Sequence, residues 1–134
     1  FNYVKEKDIS LIISTHEIQE VMPWLDQIIV LQEGRLIQNE SPRDIYSNPY
    51  NAYVAKLFGE VNIFSDEEKA YFGLSKNFWY PNEIKIASSG KEARILESRF
   101  AGNHYWNKVL VSGKELTIYS ETQLSGESAV HFAD

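Results

Sequence analysis

Cysteine is absent from this chain. Disulfides, cysteine nucleophiles and thiolate metal sites are therefore excluded, and the composition fits a reducing compartment. No apolar run approaches the roughly 20 residues that a membrane-crossing helix needs. A basic excess is missing too. The net charge is −6, with −4 on residues 1–60 and −2 on the rest. A protein that holds nucleic-acid backbones needs the opposite sign, so nucleic acid is not an expected partner. The opening "FNYVKEKD" lacks the pattern of a secretory signal. Because the first residue is Phe1 and not Met, the chain is expected to be a fragment. What remains is a globular composition. It is 43% hydrophobic and 24% charged, and its eighteen aromatic residues can fill one medium core or two small ones.

The organisation changes along the chain. "DISLIIST" (8–15) is continuously apolar, as a strand covered on both faces requires. Ile18, Val21, Met22 and Leu25 then recur at helical spacing, with Pro23 expected to kink or shorten that helix. "QIIVLQEGRLIQN" (27–39) reads as strand, two-residue turn and strand, because Glu33-Gly34 suits a hairpin. Ser41 and Pro42 open a helix over about 42–47. Asn48-Pro49 repeats the start signal, so a second helix is expected over about 49–58, stopped by Gly59. A connector follows, with a possible helical turn at "DEEKAYFG". Beyond it lie five short β-rich runs: "NEIKIAS", "EARILESRF", "HYWNKVLVS", "ELTIYSE" and "SAVHFAD". Glycine turns near Gly90, Gly102, Gly113 and Gly126 separate them. The expected fold is α+β overall, a partial α/β piece followed by a small antiparallel barrel. The expected domains are 1–64 and 65–134, the latter a linker plus the barrel.

The ordered series is specific where its members alone are not. Thr15-His16-Glu17, Glu33-Gly34-Arg35, Pro42…Ile45-Tyr46…Pro49 and Phe58-Gly59 together resemble the C-terminal part of the ATP-binding subunit of ABC importers. The resemblance covers about residues 8–64. Residues 78–134 resemble the accessory module that often follows, an oligonucleotide/oligosaccharide-type (TOBE) barrel. There "FWYPNEIKI" stands where an Arg-Pro-Glu-type segment is usual, with Tyr80 and Asn82 as departures. The family's phosphate loop, Gly-x-x-x-x-Gly-Lys-Ser/Thr, is not in the chain, nor are the glutamine loop and the signature segment.

The resemblance implies that His16 is the switch histidine, hydrogen-bonded to the γ-phosphate. Phosphoryl transfer depends on charge stabilisation of that kind. Glu17 is read as a first-turn carboxylate that complements the helix dipole; the family's catalytic base would lie upstream of Phe1. The resemblance further implies ATP and Mg²⁺ as cofactors of the parent protein, with none expected for this piece, which should be inactive alone. It implies transmembrane permease subunits as partners, a homodimer through residues 78–134, and a cytoplasmic location on the inner face of the membrane. The solute class stays open among ferric iron, polyamine, inorganic anion and sugar, and the expectation leans to iron or another small inorganic ion. Two further functions are weighed: a small-ligand-sensing or dimerisation module without a catalytic role, and an unrelated nucleic-acid-binding barrel that the acidic balance disfavours.

Other candidates carry bland readings beside the functional one. His104 and His131, with Glu97 or Glu127, lack metal-ligand spacing on one element. Phe100, Tyr105 and Trp106 could stack on a base or sugar, but suit barrel core or subunit contact better. Phe78-Trp79-Tyr80 reads as a packed strand or domain seam, and Asp66-Glu67-Glu68 as a solvated helix start.

Overall fold

The computed structural model describes residues 18–133. The expected strand 8–15, with His16 and Glu17 after it, lies outside the described residues. The chain divides into two compact units, the first ending at Gly59 and the second starting at Glu60. The break falls a few residues before the position suggested by the sequence pattern. Its physical reason is that Asn62 and Phe64 are buried in the core of the second unit.

In the first unit, helix α1 (Ile18–Val21) gives way at once to a 3₁₀ turn, Met22–Trp24. Pro23 stands in the first positions of that turn, so the α-helix is shortened where the missing N–H requires it. Strands β1 (Ile28–Gln32) and β2 (Arg35–Glu40) pair antiparallel with a register shift at Val30/Leu31. Their two-residue turn has positive φ at both Glu33 (53°) and Gly34 (76°), the geometry that matches strand twist. Helix α2 (Pro42–Ser47) is capped by Ser41, whose hydroxyl accepts from Asp44 N.

Helix α3 (Ala52–Lys56) starts three residues later than Asn48-Pro49 suggests. Tyr50 N donates to Gln38 Oε1, and Gln38 Nε2 donates to the Asn48 carbonyl, both at 2.9 Å. The hairpin thus holds 48–50 out of helix, and Asn51 becomes the cap, accepting from Val54 N at 3.0 Å. Ile28, Val30, Ile45, Val54, Ala55 and Phe58 are buried in this unit, while Ile29, Leu31 and Leu36 are exposed.

The second unit opens with β3 (Asn62–Ile63), which pairs antiparallel with β4 (Phe78–Trp79). Between them runs α4 (Asp66–Phe72). Its cap is reciprocal: Ser65 Oγ accepts from Glu68 N, and Glu68 Oε1 accepts from Ser65 N. Five strands follow: β5 (Ile84–Ala87), β6 (Lys91–Phe100), β7 (Tyr105–Val111), β8 (Lys114–Ser120) and β9 (Glu127–Phe132). They form one antiparallel sheet in the order β5-β9-β6-β7-β8, curled into a half-barrel. The architecture is thus α+β with an oligonucleotide/oligosaccharide-like β-module, as the sequence pattern leads one to expect. Phe64, Phe72, Trp79, Ile84, Val109, Val111, Leu116, Ile118 and Val130 fill the hollow.

Two positions fix the curl. Strands β5 and β6 flank β9, so the short link between them must cross it. At that crossing Gly90 has φ +140°, and a Cβ there would lie 2.3 Å from the Val130 carbonyl oxygen. At the far edge, the buried Asn62 side chain stands in for a neighbouring strand of β8. Its Nδ2 donates to Thr117 O (2.7 Å) and Trp79 O (3.1 Å), and its Oδ1 accepts from Thr117 N (2.7 Å).

Asn62→Leu removes three hydrogen bonds and leaves backbone groups unsatisfied, so it is expected to lower stability by about 3 kcal/mol. Urea unfolding followed by tryptophan fluorescence checks this, and a midpoint equal to wild type would contradict it. Gly90→Ala should cost about 2 kcal/mol or more, from positive φ and overlap with β9 together; the same titration reads it.

Glu68 supplies a pH test. Its carboxyl is held below the usual carboxylate range, first by the Ser65 backbone N–H and then by Lys114, whose ammonium lies at 2.9 Å. A depressed acid stabilises the fold above its ordinary pKa of 4.5, and the contribution is lost as pH falls through the lower folded value. Glu68→Gln is therefore expected to flatten the acid limb of the stability–pH curve below about 4.5; an unchanged limb would contradict the assignment.

Candidate functional site

Two of the motifs of the first unit, Ile45-Tyr46 and Phe58-Gly59, meet at Phe58. Its ring is buried and meets Tyr46 edge-on, with centroids 5.3 Å apart. Its carbonyl oxygen accepts a hydrogen bond from Gln19 Nε2. Gln19 lies in α1, the helix that begins two residues after His16. The Phe58-Gly59 pair is thus tied to the segment that leaves the histidine. Ile45, next to Tyr46, is fully buried beneath α2. Asn51, the α3 cap, also donates to Gln32 Oε1 at the end of β1 (3.0 Å). Hairpin, α2, α3 and the start of α1 are therefore interlocked by side-chain amides on Gln19, Gln32, Gln38 and Asn51. Sequence reasoning found the apolar members of this site and missed the amides. The signal was there in Gln32, the polar residue that ends the otherwise apolar β1.

In the second unit the other candidates separate. His104 lies with its ring 4.1 Å from Tyr119 and its Nδ1 2.6 Å from Asn103 Oδ1. His131 sits opposite Lys85 on β9. Among the described residues no three or more His, Asp or Glu side chains are grouped to hold a metal ion.

Trp106 donates its indole N–H to both carboxylate oxygens of Glu60, at 3.0 and 3.1 Å. Tyr119, directly across from Trp106 on β8, has its phenol pushed up by burial and then by the Glu60 charge. Phe100 is 71% exposed and touches Tyr105 edge-on at the end of the β6–β7 hairpin. Phe78 and Trp79 form the β4 strand, Trp79 fully buried. Of Asp66-Glu67-Glu68, the first two are exposed first-turn carboxylates, but Glu68 caps the helix and pairs with Lys114.

The polar heart of the sheet was also not foreseen. Asn107 is fully buried. Its amide donates to Ile118 O (3.1 Å), Ser120 Oγ (2.9 Å) and Tyr105 O (3.2 Å), and its oxygen accepts from Ser98 Oγ at 2.5 Å. Ser98 Oγ in turn accepts from Leu124 N at 3.0 Å, which ties the β8–β9 connection down. This network and Asn62 are structural; neither sits in an open site.

No protein-family model matches the chain. Curated relatives do. The spermidine/putrescine import ATP-binding protein PotA of Vibrio cholerae is 33% identical over 102 residues, covering 69% of this chain and 26% of the relative. The proteins of the same name from Pasteurella multocida and Mannheimia succiniciproducens are 47% identical over 57 residues and 48% over 56. Each of these matches covers 42% of this chain and 15% of the relative. The chain thus spans about a quarter of the length of these relatives, or less. Their names concern polyamines rather than iron or another inorganic ion. These matches place the chain in the family of ABC-importer ATP-binding subunits.

Proposed function

We propose that this chain is part of the ATP-hydrolysing subunit of an importer for polyamines of the spermidine and putrescine class. The observation that carries the proposal is the match to spermidine/putrescine import proteins over 69% of the chain. The geometry around Phe58 supports it, since the Gln19 bond connects the Phe58-Gly59 motif to the helix next to His16. In this reading His16 donates to the γ-phosphate of a nucleotide held by residues outside this chain. No phosphate loop is in the sequence, so the chain alone does not fit ATP and Mg²⁺ and is inactive by itself. The half-barrel serves as a regulatory TOBE-type module and joins two copies through residues 78–134. The partners are membrane-embedded permease subunits, and the protein sits peripherally on the cytoplasmic face. No helix among the described residues is long and apolar enough to cross a membrane, and a peripheral attachment does not require one.

In the full-length subunit with its permease, His16→Ala is expected to lower ATP turnover by about 100-fold or more, as loss of a charge-stabilising donor does, while nucleotide binding persists. Turnover within about threefold of wild type would remove His16 from the mechanism. For the solute, disruption of the encoding gene should abolish uptake of labelled spermidine and leave ferric iron uptake intact. The reverse pattern would overturn the polyamine assignment.

A further inference from the structure

Helix α1 is a single turn of four residues, and Pro23 takes the chain into a 3₁₀ turn directly after it. A helix that short has no stability of its own, because the cost of nucleation is not repaid. Its orientation is therefore set by its side chains, and two of them hold it. Ile18 is buried, and Gln19 Nε2 donates to the Phe58 carbonyl oxygen.

The receiving end of that bond is built to stay in place. The Phe58 ring is buried against Tyr46. The peptide that carries the carbonyl is held from its other side as well, since Gly59 N donates to Lys56 O at 3.1 Å. Gly59 has φ +120°, and a Cβ there would lie 2.8 Å from Gln19 Nε2. Glycine at 59 thus leaves clear the space that the amide occupies. The amide itself is specific. Glu17 and Glu20 stand on either side in the sequence, yet a carboxylate at 19 would present only acceptors to the carbonyl oxygen.

We propose that Gln19 is a positioning residue for ATP hydrolysis: by pinning α1 to the Phe58–Gly59 peptide it sets the placement of His16, three positions earlier in the chain, against the γ-phosphate. This inference rests on the reading of His16 as the phosphate sensor. The test is steady-state ATP hydrolysis by the full-length subunit with its permease. Gln19→Ala is expected to lower kcat about tenfold, since a displaced group loses much of its effect, with KM for ATP within about twofold of wild type. Gln19→Glu keeps the length and loses the donor. It is expected to do the same, and it serves where the alanine form does not assemble. Added to His16→Ala, Gln19→Ala should cost no further turnover, because residues that act as one unit are not additive. A general loss of fold would instead multiply with the His16→Ala defect. Wild-type kcat in both Gln19 variants, a raised KM with kcat intact, or multiplying defects in the double variant would each overturn the proposal. The two readings fail separately. Wild-type turnover in His16→Ala removes the sensor itself, whereas a slow His16→Ala beside an unimpaired Gln19→Ala removes Gln19 alone.

Discussion

A curled sheet that does not close has an edge, and an edge must be satisfied. Here the far edge is β8, and one side-chain amide does what a neighbouring strand would do. Asn62 presents a donor and an acceptor to Thr117 in the spacing of a backbone peptide, and a second donation reaches Trp79. Three elements meet at this residue: β3, β4 and β8. The burial of Phe64 and Trp79 follows, because both flank the amide and turn into the hollow. Asn107 plays the matching part inside the sheet, linking β6, β7 and β8 through Ser98 and Ser120. Edge protection by an internal polar group leaves the open ladder unavailable for pairing with a foreign strand.

The first unit is held differently. Its apolar stripe is short, and β1 is apolar on both faces: Ile28 and Val30 are buried, and Ile29 and Leu31 are exposed. Strands of that kind belong to layered α/β sheets covered on both sides. The amides of Gln19, Gln38 and Asn51 contribute order where the core is thin. At Phe58 the ring packs on Tyr46 and the carbonyl accepts from Gln19.

Much of this was legible from the residues. The Glu33-Gly34 hairpin, the α2 start at Ser41-Pro42 and all five strands of the half-barrel follow from periodicity and turn chemistry, because local sterics decide them. The start of α3 was not, since Asn48-Pro49 is a good local signal that loses to two hydrogen bonds from Gln38, a residue distant in sequence. The unit boundary was misplaced for the same kind of reason. Residues 60–64 look like a connector until Asn62 is seen to complete a strand more than fifty residues away. Glu68 was read as one of three solvated acids; its ion pair with Lys114 likewise spans 46 positions.

The order of strands in the half-barrel has one more implication. β9, the last strand in sequence, occupies an interior position between β5 and β6. On a ribosome the flanking strands emerge first and must wait with a gap between them. The hairpins β6–β7 and β7–β8 can zip locally, but the aromatic hollow cannot be sealed until Val130 and Phe132 arrive. Closure of the module therefore waits for β9 to be made, and a chain cut short before β9 would leave β5 unpaired and the three-stranded β6-β7-β8 sheet with its apolar inner face exposed.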